Sequence, residues 1–136
     1  MKPIFMDLLN NNKLTQQELS THVTTIYNQL GPGRREHIYQ QALFFDLRDA
    51  GYSVYAEVTD NILYNGHIVG FKRYDLVIKQ DDTITDIIEI KAVGNVTPLL
   101  KSQASAYKRD RPHADVYLIN FGIKGIQLDI IQETTV

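Results

Sequence analysis

At 136 residues and 15.6 kDa the chain holds one compact domain and is too short for two ordinary ones. An AVILMFWYC content of 43% against 22% charged residues argues against disorder, and the absence of Cys excludes disulfide scaffolds, thiolate zinc sites and cysteine nucleophiles. Fourteen basic and sixteen acidic side chains leave a net charge of −2, so nucleic-acid contact needs a local basic patch or a bound cation.

Residues 1–13, ending in Asn10-Asn11-Asn12-Lys13, read as a leader ahead of a single domain over 14–132. No stretch reaches the ~20 apolar residues of a spanning helix, and the leader lacks the apolar core of a signal peptide. The expected location is cytoplasmic or otherwise intracellular. Thr15 and Glu18 have capping-box spacing, and Leu19, Val23, Ile26, Tyr27 and Leu30 recur at helical intervals up to Gly31-Pro32-Gly33. A second helix is predicted from about Arg34 to Ala50, with Ile38, Ala42, Phe45, Leu47 and Ala50 as its apolar side and Gly51 after its end.

Strand-rich sequence follows. The segment 52–58 has β composition, and 62–64 and 67–69 flank Asn65-Gly66, a strong hairpin signal. Phe71 to Ile78 reads as a strand, the Gln80-Asp81-Asp82 turn leads to another over Thr83 to Val93, and Thr97-Pro98 opens a helix ending near Lys108. Val116 to Phe121 and Ile126 to Ile131 close the chain. The order α-α-β-meander-α-β-β predicts an α/β domain, a central mixed sheet flanked by helices.

The informative segment is Ile87-Ile88-Glu89-Ile90-Lys91-Ala92-Val93. An apolar run of this kind marks a strand covered on both faces, where charges are costly unless paired or bound. Alternation puts Glu89 and Lys91 on one face, roughly 7 Å apart. Alone, this is an ion pair on a solvated edge. Asp75, however, sits in a second apolar strand 14 positions earlier, a separation that sets it beside Glu89 across an antiparallel pair. Two adjacent carboxylates repel, and an all-oxygen site favours a hard cation, Mg²⁺ before Mn²⁺ or Ca²⁺.

Asp75…Glu89-x-Lys91 resembles the PD-(D/E)xK nuclease signature. Gly33-x-x-Glu36-x-x-Tyr39, preceded by Leu30-Gly31-Pro32, narrows the resemblance to the GxxExxY protein family. Arg73-x-Asp75-Leu76, Glu89-x-Lys91-Ala92, Thr97-Pro98 followed by Gln103-x-x-x-Tyr107, and Ile119-Asn120-Phe121-Gly122 extend it over roughly residues 15 to 131. The resemblance implies a restriction-endonuclease-like core and Mg²⁺-dependent phosphodiester hydrolysis, with Mn²⁺ as substitute. It further implies Glu36, Asp75, Glu89 and the main-chain carbonyl of Ile90 as metal ligands, Lys91 as the charge that orients water or stabilises the phosphorane, and Gln103 with Tyr107 as positioning groups. Catalysis would rest on Glu36, Asp75, Glu89, Lys91 and Gln103.

Each assignment has a plainer competitor. Glu36 in a first helical turn is stabilised by the helix dipole without metal, Tyr39 is a packing residue, and Gln103 can serve its own helix. Arg34, Arg35, Arg73, Lys101, Tyr107, Lys108 and Arg109 are candidate contacts to nucleic acid, through phosphates and with little sequence preference. DNA is favoured over RNA. A silent nuclease-fold module binding nucleic acid or protein, and a structural subunit or homodimer using the Asn65-Gly66 hairpin edge, are the competing readings.

Overall fold

The structure, a computed structural model, describes residues 13–132; the expected leader, apart from Lys13, lies outside them. Helix α1 (Gln16–Leu30) starts where the Thr15 hydroxyl accepts from the Glu18 N–H at 3.1 Å. The other half of the capping box is unused, because the Glu18 carboxylate accepts the Tyr52 hydroxyl at 2.6 Å. Leu19, Val23 and Ile26 form the buried stripe, and Gly31 (φ 74) ends the helix. No described helix is long and apolar enough to cross a membrane.

Helix α2 (Glu36–Asp49) buries a face that coincides with the expected one at Leu47, and at Ala42 in part, but not elsewhere. Tyr39, Gln40, Leu43 and Leu47 point inward, whereas Ile38 and Phe45 are more than 40% exposed. Two interleaved stripes compete in this sequence, and what selects the 39/43/47 stripe is Tyr39. Its ring stacks on Phe121 at 4.3 Å, and its hydroxyl donates to the Gly31 carbonyl at 2.6 Å while accepting the Arg34 N–H at 3.1 Å. Tyr39 therefore fixes the turn that presents Arg34, Arg35 and Glu36.

Strands β1 (Val54–Tyr64) and β2 (His67–Gln80) form one long hairpin around Asn65 and Gly66, both at positive φ. The sequence breaks this hairpin into four pieces at Thr59-Asp60-Asn61 and Gly70, yet the ladder runs through them, pairing Asp60 with Lys72 and Ile62 with Gly70. Those residues look like turns because this part of the ribbon extends past the rest of the sheet and is solvated. Strand β3 (Thr83–Lys91), helix α3 (Pro98–Asp110) and strand β4 (Asp115–Gly122) make a parallel crossover, and β5 (Gly125–Ile131) returns antiparallel to β4. The five strands lie in the order β1-β2-β3-β4-β5, antiparallel except for β3–β4.

The mixed α/β architecture is the expected one. Helices α1 and α2 cover one face over Leu76, Ile88, Ile90 and Ile119, and α3 covers the other over Tyr74, Val77, Ile87 and Leu118.

One carboxylate sits deep in the first layer. Asp86 is 0% exposed, its Oδ2 accepts the Thr85 hydroxyl at 2.8 Å, and its Oδ1 has no partner among the described residues. Burial pushes its pKa up to about 6 from 3.8. Between those values the folded chain holds a proton that the unfolded chain releases, so stability falls as pH rises through the window and the penalty is complete above it. A shift of this size corresponds to about 3 kcal/mol. Asp86→Asn is therefore expected to raise Tm by about 5 °C or more at pH 8, with the gain shrinking toward pH 5. Thermal melts of both proteins at the two pH values check this; a pH-independent difference would contradict it.

Candidate active site

The ladder between β2 and β3 runs from Gln80↔Thr83 to Leu76↔Ile88 and stops, while β3 stays paired with β4 as far as Lys91↔Asn120. Beyond Leu76 the two strands part, and backbone groups that would have paired are left over in the fork. Side chains take them up. The Asp75 N–H donates to Glu89 Oε1 at 3.1 Å, and the Ile90 N–H donates to Asp75 Oδ2 at 2.8 Å. The two carboxylates that the sequence placed side by side are thus held together by reciprocal bonds to each other's strand.

At the same level the sheet exchanges its faces. Val54 and Ala56 pack toward α1 and α2 while Val58 packs toward α3; across the ladder, Leu76 and Ile78 pack on the first side and Tyr74 on the second. The exchange falls at Glu57 and Asp75, and Glu57 takes a left-handed φ of 55 to allow it. A non-glycine residue there costs on the order of 1 kcal/mol.

Electrostatics mark the fork. Burial raises the pKa of Asp75, opposed by the Ile90 N–H and by the positive charges of Lys91 and Arg73. Burial, then repulsion from Asp75, raises that of Glu89 well above the usual carboxylate range. Glu89 is 7% exposed, so little solvent relieves this. Tyr107 is pushed up to about 12 by burial and by the charges of Glu89 and Asp75, and its ring meets Tyr74 edge-on at 5.0 Å. The pair, Lys91 and Tyr107 form one electrostatic unit.

Downstream, Asn120 fixes the chain that leaves β3. Its Oδ1 accepts the Val93 N–H at 2.9 Å and its Nδ2 donates to the Val93 carbonyl at 3.0 Å. A side chain at Gly122 would stand 2.9 Å from the Gly125 carbonyl and 3.2 Å from Asn120 Nδ2, so this clamp needs glycine there. The clamp also explains why β3 stops at Lys91 rather than at Val93 as the sequence suggests.

A polar cleft of about 460 Å³ opens beside Asp75. The start of α2 contributes Arg34, Arg35, Glu36 and Gln40, and the hairpin contributes Glu57 and Arg73. A somewhat larger concavity, about 520 Å³, runs along Gln16, Ser20 and Thr24 of α1, but its lining carries no charged side chain and its size marks nothing.

The candidate residues are not all gathered. Glu36 is exposed at the cleft that Asp75 lines, and among the described residues no three acidic or histidine side chains stand close enough to hold an ion as they are. Gln103 is exposed on α3, as are Lys101 and Arg109. Lys108 donates to the carbonyls of Pro112 (3.1 Å) and Ala114 (2.8 Å), holding the turn into β4. Arg34 Nε donates to the Leu30 carbonyl at 2.7 Å and caps α1. Lys72 and Arg111 pair with Asp110 and Asp60, tying α3 to the hairpin. Sequence reasoning missed Glu57 and Gln40. Nothing in the sequence signals the first; the second was legible as an amide three and seven residues ahead of Leu43 and Leu47.

The donor chemistry of the fork fits a hard divalent ion. A buried and a half-buried carboxyl whose charged forms are held off by desolvation and mutual repulsion gain most from a cation between them. A family model described as PD-(D/E)XK nuclease superfamily matches residues 13–132. No curated protein matches the chain. Among solved structures, the crystal structure of SSO0001 is similar at 17% identity over 96% of this chain and 74% of that one, with a TM-score of 0.47.

Proposed function

Because the chain belongs to the PD-(D/E)XK nuclease superfamily, we propose that it hydrolyses phosphodiester bonds of nucleic acid in a Mg²⁺-dependent reaction of low sequence specificity. The observation that carries this reading is the pairing of half-buried Asp75 with buried Glu89 at the fork, each bonded to the other's strand, with the charge of Lys91 acting on both. Asp75 and Glu89 would hold the ion, with the Ile90 carbonyl at the same fork and Glu36 reaching in from α2. When bound, Mg²⁺ supplies the charge that acidifies a water and polarises the phosphoryl oxygen, and Mn²⁺ can replace it.

The remaining work falls to the chain. Lys91 stabilises negative charge developing on the phosphorus oxygens, from a half-buried position where its charge is poorly screened. Arg73 and Arg35, at the cleft, would hold the flanking phosphates. Tyr107 keeps its proton at neutral pH and can donate to water or phosphate, while Gln103 serves from the exposed side of α3. Backbone contacts of this kind carry no base information, hence the low specificity.

A second reading has its own support. Asp75 and Glu89 each accept a backbone N–H at the fork, so in a silent binding module they would act as caps alone. Incubating the protein with labelled single- and double-stranded DNA and RNA in Mn²⁺, and in EDTA, separates the two. Cleavage in Mn²⁺ that EDTA stops is expected; intact substrate in every lane favours the silent module.

A further inference from the structure

Gln40 lies one helical turn beyond Glu36 on α2 and lines the same cleft as Asp75 and Arg73. It is 6% exposed, and its Nε2 has no acceptor among the described residues. A buried donor left without an acceptor destabilises the fold, and an apolar side chain of similar length would suit the Leu43–Leu47 stripe better. The amide is therefore unexplained by packing, and the residue lines a cleft that already carries three arginines and three carboxylates, with Nε2 covered until the side chain turns toward it.

We propose that Gln40 is a substrate-binding residue that donates its side-chain amide to a non-bridging phosphate oxygen of the nucleic acid held in this cleft, an inference that rests on the nuclease reading. An amide nitrogen donates and cannot ligate a cation, so its complement is an oxygen acceptor rather than the metal. The acceptor must arrive with a ligand; the three arginines of the cleft balance its three carboxylates, so an ion held by the carboxylates leaves Arg35 and Arg73 to favour an anion there. A neutral donor suits the position. An arginine here would pair with Glu36 or Asp75 and hold it away from a cation, whereas an amide contacts phosphate without neutralising either carboxylate.

The test measures binding of a fluorescent single-stranded DNA by anisotropy in Ca²⁺, with the full chain, alongside thermal melts of Gln40→Leu and Gln40→Glu. Gln40→Leu is expected to weaken binding at least about tenfold while its Tm stays level or rises, since it removes an unsatisfied donor. Gln40→Glu is expected to weaken binding further by adding charge repulsion. Wild-type protein that binds DNA together with a Gln40→Leu variant that binds equally well overturns this inference alone, as does a Tm that falls on losing the amide. Wild-type protein that binds no DNA under any condition overturns the nuclease reading and this inference with it.

Discussion

Lys91→Ala is expected to slow Mn²⁺- or Mg²⁺-dependent strand cleavage by about 10²- to 10³-fold, the effect of removing a charge aimed at developing negative charge in a low-dielectric site. The position of the ammonium sets this expectation. Lys91 follows Glu89 by two on β3, so alternation turns both to one side of the strand, and its charge is felt by both acids. Because the group acts on charge that appears only in the transition state, kcat should fall with KM nearly unchanged. Lys91→Arg should recover part of the rate, since the charge remains but the planar fork does not reproduce a compact ammonium. Cleavage unaffected by Lys91→Ala would assign the activity to another site or to a contaminant.

The second large effect is on stability and has the opposite sign to the loss of activity. Glu89→Gln should abolish cleavage and raise the Tm of the metal-free protein at pH 8 by several degrees, a gain on the order of 2 kcal/mol. Burial and the neighbouring Asp75 both disfavour the charged form of Glu89, so the folded state keeps a proton that the unfolded state gives up. Stability therefore declines as pH climbs above the ordinary carboxylate range, and the difference between Glu89→Gln and wild type should widen from pH 5 to pH 8. The glutamine can still accept the Asp75 N–H and adds a donor toward the Asp75 carboxylate. A metal-free variant less stable than wild type at pH 8 would mean that the charged pair is a stabilising cap, as the silent module requires. Residues that lower stability in the absence of a ligand and are indispensable in its presence are the signature of a functional site.

Much of this was legible in the sequence, for identifiable reasons. Asp75 and Glu89 meet because the tight Asp81-Asp82 turn, whose two residues sit at positive φ, makes β2 and β3 antiparallel neighbours, and because Thr85 is an extra residue in the ladder that shifts the register by one and moves Asp75 from the level of Ile88 to that of Glu89. The Thr97-Pro98 start of α3 and the Gly31 end of α1 follow from capping chemistry confined to a few adjacent residues. The failures come from contacts that no local pattern encodes. The inward face of α2 is chosen by stacking of Tyr39 on Phe121, 82 positions away in sequence. The hairpin looked broken because its polar residues are exposed in a ribbon, not turned. Glu57 and the exchange of sheet faces beside Asp75 could not be read at all, since period-two alternation assumes that faces never exchange.

The basic residues divide along similar lines. The sequence offers candidates on α3 together with Arg34, Arg35 and Arg73; Lys108, Arg111 and Arg34 are taken up by structural bonds, whereas Arg35 and Arg73 line the cleft beside Asp75. Clustering along the chain reports charge density, whereas contact with a phosphate backbone depends on which side chains share a concave surface.

The account depends on the Asp75–Glu89 fork binding a hard divalent ion. A crystal of the full chain grown with Mn²⁺, read by anomalous scattering, tests this directly. The account predicts one peak bridging the Asp75 and Glu89 carboxylates and lost in Glu89→Gln. An empty fork at saturating Mn²⁺, with the two carboxyls still bonded to the Asp75 and Ile90 backbone as here, would contradict it.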